Sequence, residues 1–163
     1  MILFDGNSMM SWLLDIWRSK GRLFHGDGKV KYEGQVKYGK EHGEGKWYDE
    51  NGTLCHEGQF KNGKRHGKGK VYYENGNMVY DGQFQDDKAH GEGDEYDESG
   101  KVVYKGQFQD DKHHGEGKWY DNGDGNLMYE GQFQDGTLHG EGKMYESGNL
   151  LYTGSWRKNK RHG

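Results

Sequence analysis

A motif that returns about every 24 residues constrains the fold of this chain more than any other feature of its sequence. The motif starts with an aromatic residue, a variable residue, glycine and glutamine, and its six glycines are Gly34, Gly58, Gly82, Gly106, Gly131 and Gly154. The spacings between these glycines are 24, 24, 24, 25 and 23 residues. Self-similarity at such a period predicts a repeat architecture, in which each copy packs on its neighbours.

Each copy has the pattern of a β-hairpin. In the third copy, the side chains of residues 78–84 alternate with a period of two, which indicates a strand. A His-Gly-x-Gly motif opens a second strand at residues 90–96, and polar residues at 85–89 and 97–100 predict turns. One hairpin alone is not stable in water, so the copies must bury their faces on one another.

The composition favours an all-β chain that forms a single sheet layer. Leu, Ile, Val and Phe make up 23 of 163 residues, about 14%, a share more usual in disordered chains. Disorder is nevertheless disfavoured, because the net charge is only -4, aromatic residues reach 14% and proline is absent. Thirty glycines and a single alanine, Ala89, exclude a helical bundle.

Charge and cysteine content narrow the class of protein. A pI near 6.1 gives no general attraction to nucleic acid. The single cysteine, Cys55, excludes an intrachain disulfide and favours a reducing compartment. Residues 1–5 lack the basic start of a secretory signal, and no run of 18 apolar residues occurs. We therefore expect a cytoplasmic protein that does not bind nucleic acid.

The first 21 residues differ from the repeats. A cap at Asn7 or Ser8 and a stop at Gly21 predict a short helix. Apolar residues cover far more than one of its faces, which predicts that it is buried. Two interpretations stay open: a cap over the open N-terminal end of the sheet, or a docking peptide or interfacial anchor that uses Trp12 and Trp17. The chain thus divides into two parts, residues 1–21 and residues 22–163.

With its repeats in this register, the chain resembles the MORN (membrane occupation and recognition nexus) repeat family. The resemblance rests on Tyr-x-Gly-x-Phe followed by His-Gly-x-Gly, in five full copies with a partial copy at each end, over about residues 22–163. It implies an elongated, single-layer antiparallel sheet of hairpins without catalytic activity. It also implies a role in scaffolding, with a protein partner or, as in some members, a phospholipid.

We predict a noncatalytic scaffold that holds a peptide or helix of a partner protein on an aromatic-lined sheet face. The predicted contacts combine the aromatic residues of three copies with their glutamines and two N-terminal tryptophans. These residues are Tyr80, Phe84, Tyr104, Phe108, Tyr129, Phe133, Gln83, Gln107, Gln132, Trp12 and Trp17. The same aromatic rows can instead be the packing of the fold itself, and that alternative stays open.

Other functions stay open beside this one. A basic cluster can hold an anionic phospholipid at roughly 1 kcal/mol per charge, and its members are Lys61, Lys64, Arg65, Lys68 and Lys70. The chain can also be a structural component of a cortical, ciliary or viral assembly, or a bacterial antitoxin-type repeat protein. Because the strand at residues 151–156 has no cap, a homo-oligomer through the C-terminal edge is a further expectation.

Neither the histidines nor the carboxylates predict a catalytic, metal or cofactor site. Six histidines recur at one position of consecutive copies, where they cannot converge on a single ion, so we interpret them as turn residues. Paired carboxylates such as Asp110 and Asp111 fall in turns, where Asp is favoured. We interpret Cys55 as a small apolar substitution at a position that is apolar in the later copies, and not as a nucleophile. His56 interrupts the tyrosine row, either as a tolerated substitution or with a pH-sensitive or contact role.

Overall fold

All regular elements of the computed structural model, which describes residues 20–162, are β-strands. They form one antiparallel sheet in which every strand pairs with its neighbours in sequence. The strands are β1 Lys20–Phe24, β2 Val30–Lys37, β3 Lys40–Tyr48, β4 Leu54–Lys61, β5 Lys64–Tyr72, β6 Met78–Gln85, β7 Lys88–Tyr96, β8 Val102–Gln109, β9 Lys112–Tyr120, β10 Leu127–Gln134, β11 Thr137–Glu146, β12 Asn149–Arg157 and β13 Lys160–Arg161. The predicted all-β antiparallel sheet of hairpins is confirmed, and twelve strand spacings make it roughly 58 Å long.

The predicted N-terminal helix lies outside the described residues except for its last two positions. Lys20 pairs with Gln35, and Gly21 pairs with Gly34, so both belong to β1. The sheet therefore starts two residues before the boundary expected from the sequence. Gly21 faces the glycine of the first repeat motif and does not end a helix.

The turns within the hairpins contain two residues, fewer than the sequence predicts. In the third repeat they are Asp86 and Asp87, whose φ angles of 50° and 75° are both positive. Two consecutive positive φ angles are typical of the type I′ turn, whose twist matches that of the flanking strands. Lys88 and Ala89, expected in a turn at residues 85–89, belong to β7.

Several of these turns also join one repeat to the previous one. Asp111 Oδ1 accepts a hydrogen bond of 2.8 Å from the Ala89 N–H, and the Asp111 N–H donates to the Ala89 carbonyl at 3.0 Å. Asp87 makes the same two bonds with Arg65. The pairs at residues 86–87 and 110–111 are therefore turn residues, as predicted, and they also bind the backbone of the preceding repeat. The prediction is wrong for Asp94 and Glu95, which lie in β7.

A tyrosine and two facing glycines form the centre of most repeats, and His56 replaces the tyrosine in the second. In the fourth repeat, Gly106 and Gly117 pair across β8 and β9, and the Tyr104 side chain lies against them. The Tyr104 hydroxyl donates a hydrogen bond of 3.0 Å to the Gln107 carbonyl. A Cβ atom at Gly117 would overlap this hydroxyl. Glycine is required there because no side chain fits beneath the ring.

The His-Gly-x-Gly motif forms a bulge in the second strand of each hairpin. In the fourth repeat the register of β8 and β9 shifts between Gly106 and Phe108. Gly115 in this bulge has a φ of 62°, and a Cβ atom there would overlap Gln107 Oε1. Five recurrent histidines lie in strands, so their interpretation as turn residues is wrong; they are His42, His66, His90, His114 and His139.

Edge-to-face contacts between rings connect the repeats on one side of the sheet, the aromatic face. Tyr104 contacts Phe108 of its own repeat and Phe133 of the next, with ring centroids 5.1 and 5.2 Å apart. The buried rings of this face are Tyr32, His56, Phe60, Tyr80, Phe84, Tyr104, Phe108, Tyr129, Phe133 and Trp156. The opposite, charged face has a central row of Glu57, Lys70, Asp81, Asp94, Lys105, Lys118, Glu130 and Lys143. The core is thus a single layer of rings on one side of the sheet.

Candidate binding face

The six aromatic residues predicted as partner contacts form the core of the sheet. Tyr104 and Tyr129 are 0% exposed, and Phe108, the most exposed of the six, reaches 7%. Rings this buried offer a partner little surface, so they are primarily the packing of the fold, the alternative that the sequence left open. Two further predicted contacts, Trp12 and Trp17, lie outside the described residues.

The three glutamines predicted to support this contact lie on the charged face. Gln107 Oε1 accepts a hydrogen bond of 3.3 Å from the Glu116 N–H, and its Nε2 donates to a Glu92 carboxylate oxygen at 3.0 Å. Gln83 and Gln132 hold the equivalent positions beside the bulge glycines of their repeats. The prediction that they support a contact on the aromatic face is therefore wrong, and they stabilise the bulges instead.

Residues that differ from repeat to repeat lie on the aromatic face beside the buried rings. One row, opposite the phenylalanine positions, consists of Glu41, Arg65, Ala89, His113, Leu138 and Arg161. A second row, opposite the tyrosine positions, consists of Trp47, Val71, Glu95, Trp119 and Met144. In the five repeats that contribute to both rows, no two carry the same pair of residues. The aromatic face therefore combines a fixed framework with variable side chains.

This variable pair was missed in the sequence, although its signal is there. One member precedes each recurrent histidine, and the other precedes the tyrosine of the second strand. The constant residues define the period and therefore dominate the repeat pattern. The residues that change between copies are the ones that distinguish one repeat surface from another.

Ala89 leaves a depression in the first variable row. Its neighbours in that row are Arg65 and His113, and a cavity of about 440 Å³ lies between them, with Phe84 and Phe108 in its lining. This volume is near the lower end of the range for ligand sites, about 300–1,000 Å³. The cavity has an apolar floor, because the framework rings form it, and polar side chains at its sides.

Glu95 and His113 form one wall of this cavity. The His113 imidazole stacks on the Tyr104 ring, with centroids 3.7 Å apart and an interplanar angle of 11°. Its Nε2 lies 2.7 Å from a Glu95 carboxylate oxygen. Trp119, the next residue of the second variable row, is 39% exposed. Stacking and the His113–Glu95 contact hold this wall in place before any ligand arrives.

His56 replaces tyrosine in the second repeat and lacks the tyrosine hydrogen bond. It is 3% exposed, and neither of its ring nitrogens has a hydrogen-bond partner within the described residues. Burial lowers the pKa of His56 to about 4, and the nearby Arg65 guanidinium acts in the same direction. Next to the ring lies a second cavity, of about 360 Å³. His56 is thus a neutral, buried group at pH 7.

Opposite charges face each other along much of the charged face. Lys105 Nζ lies 2.6 Å from an Asp94 carboxylate oxygen, and Lys143 Nζ lies 3.2 Å from Glu130. Their side chains are between 27 and 52% exposed, so each pair contributes only about 0–1 kcal/mol. The ion pairs of the charged face therefore add little to the stability of the sheet.

The predicted basic cluster does not form one patch. Arg65 lies on the aromatic face, where its Nε is 3.7 Å from an Asp87 carboxylate oxygen. The other four basic residues lie in β4 and β5 away from the aromatic rings, and they are Lys61, Lys64, Lys68 and Lys70. Binding of anionic phospholipid stays a prediction, and a site that uses all five charges together is not formed by this sheet.

The C-terminal edge carries one strand more than the sequence predicts. β13 has two residues, and it pairs with Trp156 and Arg157 of β12. A short edge strand limits pairing with another sheet. Leu150 and Leu151 of β12 are nevertheless 56 and 50% exposed. Homo-oligomer formation through this edge stays a prediction.

The described residues contain neither a metal-binding cluster nor a membrane-spanning helix. Between residues 20 and 162, no group of three or more His, Cys, Asp or Glu side chains is placed to hold a metal ion. The same part of the chain has no helix that is long and apolar enough to cross a membrane.

An open sheet of consecutive hairpins, with fixed rings and variable side chains on one face, defines a β-hairpin repeat protein. The family model for the MORN repeat matches residues 56–78, 80–102, 104–125, 129–150 and 152–163, more than half of the chain, and that for a MORN repeat variant matches residues 41–62. The chain therefore belongs to the MORN repeat family, and the predicted resemblance is confirmed. A comparison with curated proteins gave no match.

Proposed function

We propose that this chain is a noncatalytic scaffold that binds one segment of a partner protein along its aromatic face. The observation that carries the proposal is the division of this face into buried, constant rings and more varied neighbours. Trp119 is 39% exposed, whereas Tyr104 beside it is fully buried. Because the framework rings recur at the same positions of successive repeats, the variable pairs can set recognition without changing the fold.

The cavity at Ala89 and the exposed Trp119 are the proposed anchor points. Binding energy at protein interfaces is concentrated in a few well-packed residues, often aromatic, that fill pockets. A bulky apolar side chain of the partner would enter the cavity and contact Phe84 and Phe108. The wall of Glu95 and His113 would then border the polar rim of the contact. The partner segment therefore needs at least one bulky apolar residue.

Selection from a random peptide library tests this proposal with purified protein. We expect enriched peptides to contain a bulky apolar residue, and their affinity to fall at least tenfold with Ala89→Leu, which fills the cavity, or with Trp119→Ala. Lys118→Ala is the matched control, because this neighbouring side chain lies on the charged face; we expect less than a twofold change. An equal loss with all three variants, or no enrichment at all, would contradict the proposal.

A further inference from the structure

A cavity crosses the aromatic face near its N-terminal end. It has a volume of about 360 Å³ and is lined by residues of β2 to β5, with Gly63 and Asp87 at its margins. Trp47, Cys55 and Val71 form part of its apolar lining, and the buried ring of His56 borders it. The cavity occurs where the tyrosine of the other repeats is shortened to histidine, and where Val71 takes the place of a larger residue.

Apolar side chains are only partly covered on the N-terminal side of this cavity. Val36, in the row where later repeats have a buried phenylalanine, is half-buried. Trp47 is half-buried, and the one ring contact that the structure gives it within residues 20–162 is an edge contact with His25, at 6.4 Å between centroids. The phenylalanines farther along the Val36 row are buried. The apolar side chains at the N-terminal end of the aromatic face are therefore less well covered than those farther along.

The chain preceding β1 supplies apolar residues within reach of this cavity. Residues 9–17 include seven apolar residues, two of them tryptophan. The chain enters β1 at Lys20, opposite Gln35, and Gln35 is followed by Val36, in the row that leads to Phe60 and the cavity. Two to four strand spacings, about 10–19 Å, separate β1 from β3 to β5. Residues 12–17 lie three to eight positions before Lys20, which is a reach of about 10–27 Å for an extended chain.

We propose that residues 1–19 fold back over the aromatic face of β2 to β5 and place an apolar side chain in the cavity beside Cys55 and His56. This position differs from the end cap expected from the sequence, which would cover the β1 edge. It leaves the cavity at Ala89, in β7, open to a partner. The inference does not depend on the proposed function, because it concerns only contacts within this chain.

The reactivity of the Cys55 thiol toward a soluble disulfide reagent tests this docking in the full chain. Cys55 is the single cysteine, is partly buried and lines the cavity. A quadruple variant, W12S/L13S/I16S/W17S, removes four of the apolar residues that would dock. We expect its Cys55 thiol to react at least tenfold faster than that of the unchanged chain.

A matched control moves the thiol to the equivalent position of a distant repeat. The variant C55V/V103C carries its thiol in β8, seven strand spacings or roughly 33 Å from β1. We expect the quadruple serine change to leave the reaction rate of this thiol within twofold. Equal Cys55 rates with and without the serine changes would overturn the proposal. A rate difference that depends on protein concentration would also overturn it, because a second copy would then supply the segment.

Disulfide formation gives a second measurement that does not depend on the quadruple variant. W12C and W17C, prepared separately, each place a second thiol in the N-terminal segment. We expect at least one of them to form an intramolecular disulfide with Cys55 under mild oxidation at low protein concentration. The same changes combined with C55V/V103C should form none. Equal disulfide yields with Cys55 and with the thiol in β8 would overturn the proposed position.

Discussion

The two faces of this sheet are made by the same strands but differ in what they contribute. On the aromatic face, Tyr104 is fully buried between rings of two repeats, and its hydroxyl is bonded to the backbone. On the charged face, one residue away, Lys105 pairs with Asp94 and stays 47% exposed. This difference indicates that a sheet of one layer can be stabilised from one side, provided that rings of successive repeats bury each other.

The largest effect should follow from removing one ring of the aromatic face. We expect Tyr104→Ala to destabilise the protein by about 3–5 kcal/mol, because it leaves a cavity beneath Phe108 and Phe133 and removes a hydrogen bond. The matched control is Tyr120→Ala, a half-buried tyrosine of β9 that lines the charged face together with Lys118 and Glu130. Urea unfolding measures both variants. Equal losses would contradict the account of a one-sided core.

A pH effect should distinguish the second repeat from the others. The pKa of His56 is about 4 in the fold and about 6.5 in the unfolded chain, so the unfolded state takes up the proton first. Stability is therefore lost as the pH falls from 6.5 toward 4, by roughly 3 kcal/mol in total. The charged groups that act on His56 are Arg65, Asp87 and Glu57.

The variant His56→Tyr isolates this contribution from that of the carboxylates. Tyrosine restores the residue type of the other repeats and does not titrate in this range, whereas all other groups are unchanged. We expect the difference in unfolding free energy between pH 7 and pH 4.5 to be smaller in the variant by about 2 kcal/mol. The same pH dependence in both proteins would show that His56 is not a buried neutral group.

A smaller loss should result from adding one methyl group under a ring. Gly117→Ala forces the Tyr104 hydroxyl away from its position, and we expect a loss of about 2 kcal/mol from overpacking. The control is Gly26→Ala, where no atom lies within 4 Å of the added carbon. Thermal unfolding compares the two. A tolerated alanine at Gly117 would mean that the ring does not need the glycine beneath it.

The smallest effect is expected on the charged face. Lys118 Nζ lies 3.6 Å from a Glu130 carboxylate oxygen, and the Lys118 side chain is 53% exposed. We expect Lys118→Gln to change stability by less than about 0.5 kcal/mol. Urea unfolding in low and in 0.5 M salt measures it. A loss comparable to that of Gly117→Ala would show that both faces stabilise the sheet.

Much of the fold was predictable because it repeats. The period of about 24 residues and the alternation around Tyr80 and Phe84 gave the hairpins, their order and the aromatic rows. The bulge at each His-Gly-x-Gly motif was not predicted, since its cause is a glycine with positive φ and a glutamine on the opposite strand. The length of the turns was overestimated because Lys88 is polar yet lies in a strand.

The candidate site was predicted less well than the fold. The repeating pattern predicted that the constant rings contact a partner. These rings recur because each one packs against a ring of the next repeat. Gln107 is three residues after Tyr104, so the alternation of a strand already places the two side chains on opposite faces. The cavities at Ala89 and His56 depend on the sizes of neighbouring side chains across several strands, which no single repeat reveals.

An exchange of variable pairs between two repeats tests the central claim most directly. The variant A89H/E95W/H113A/W119E exchanges the pairs of the third and fourth repeats and keeps every framework residue. We expect a stability within about 1 kcal/mol of the unchanged chain and at least a tenfold loss of affinity for a peptide selected on that chain. Unchanged peptide affinity in a folded variant would contradict the claim that these variable residues form the binding surface.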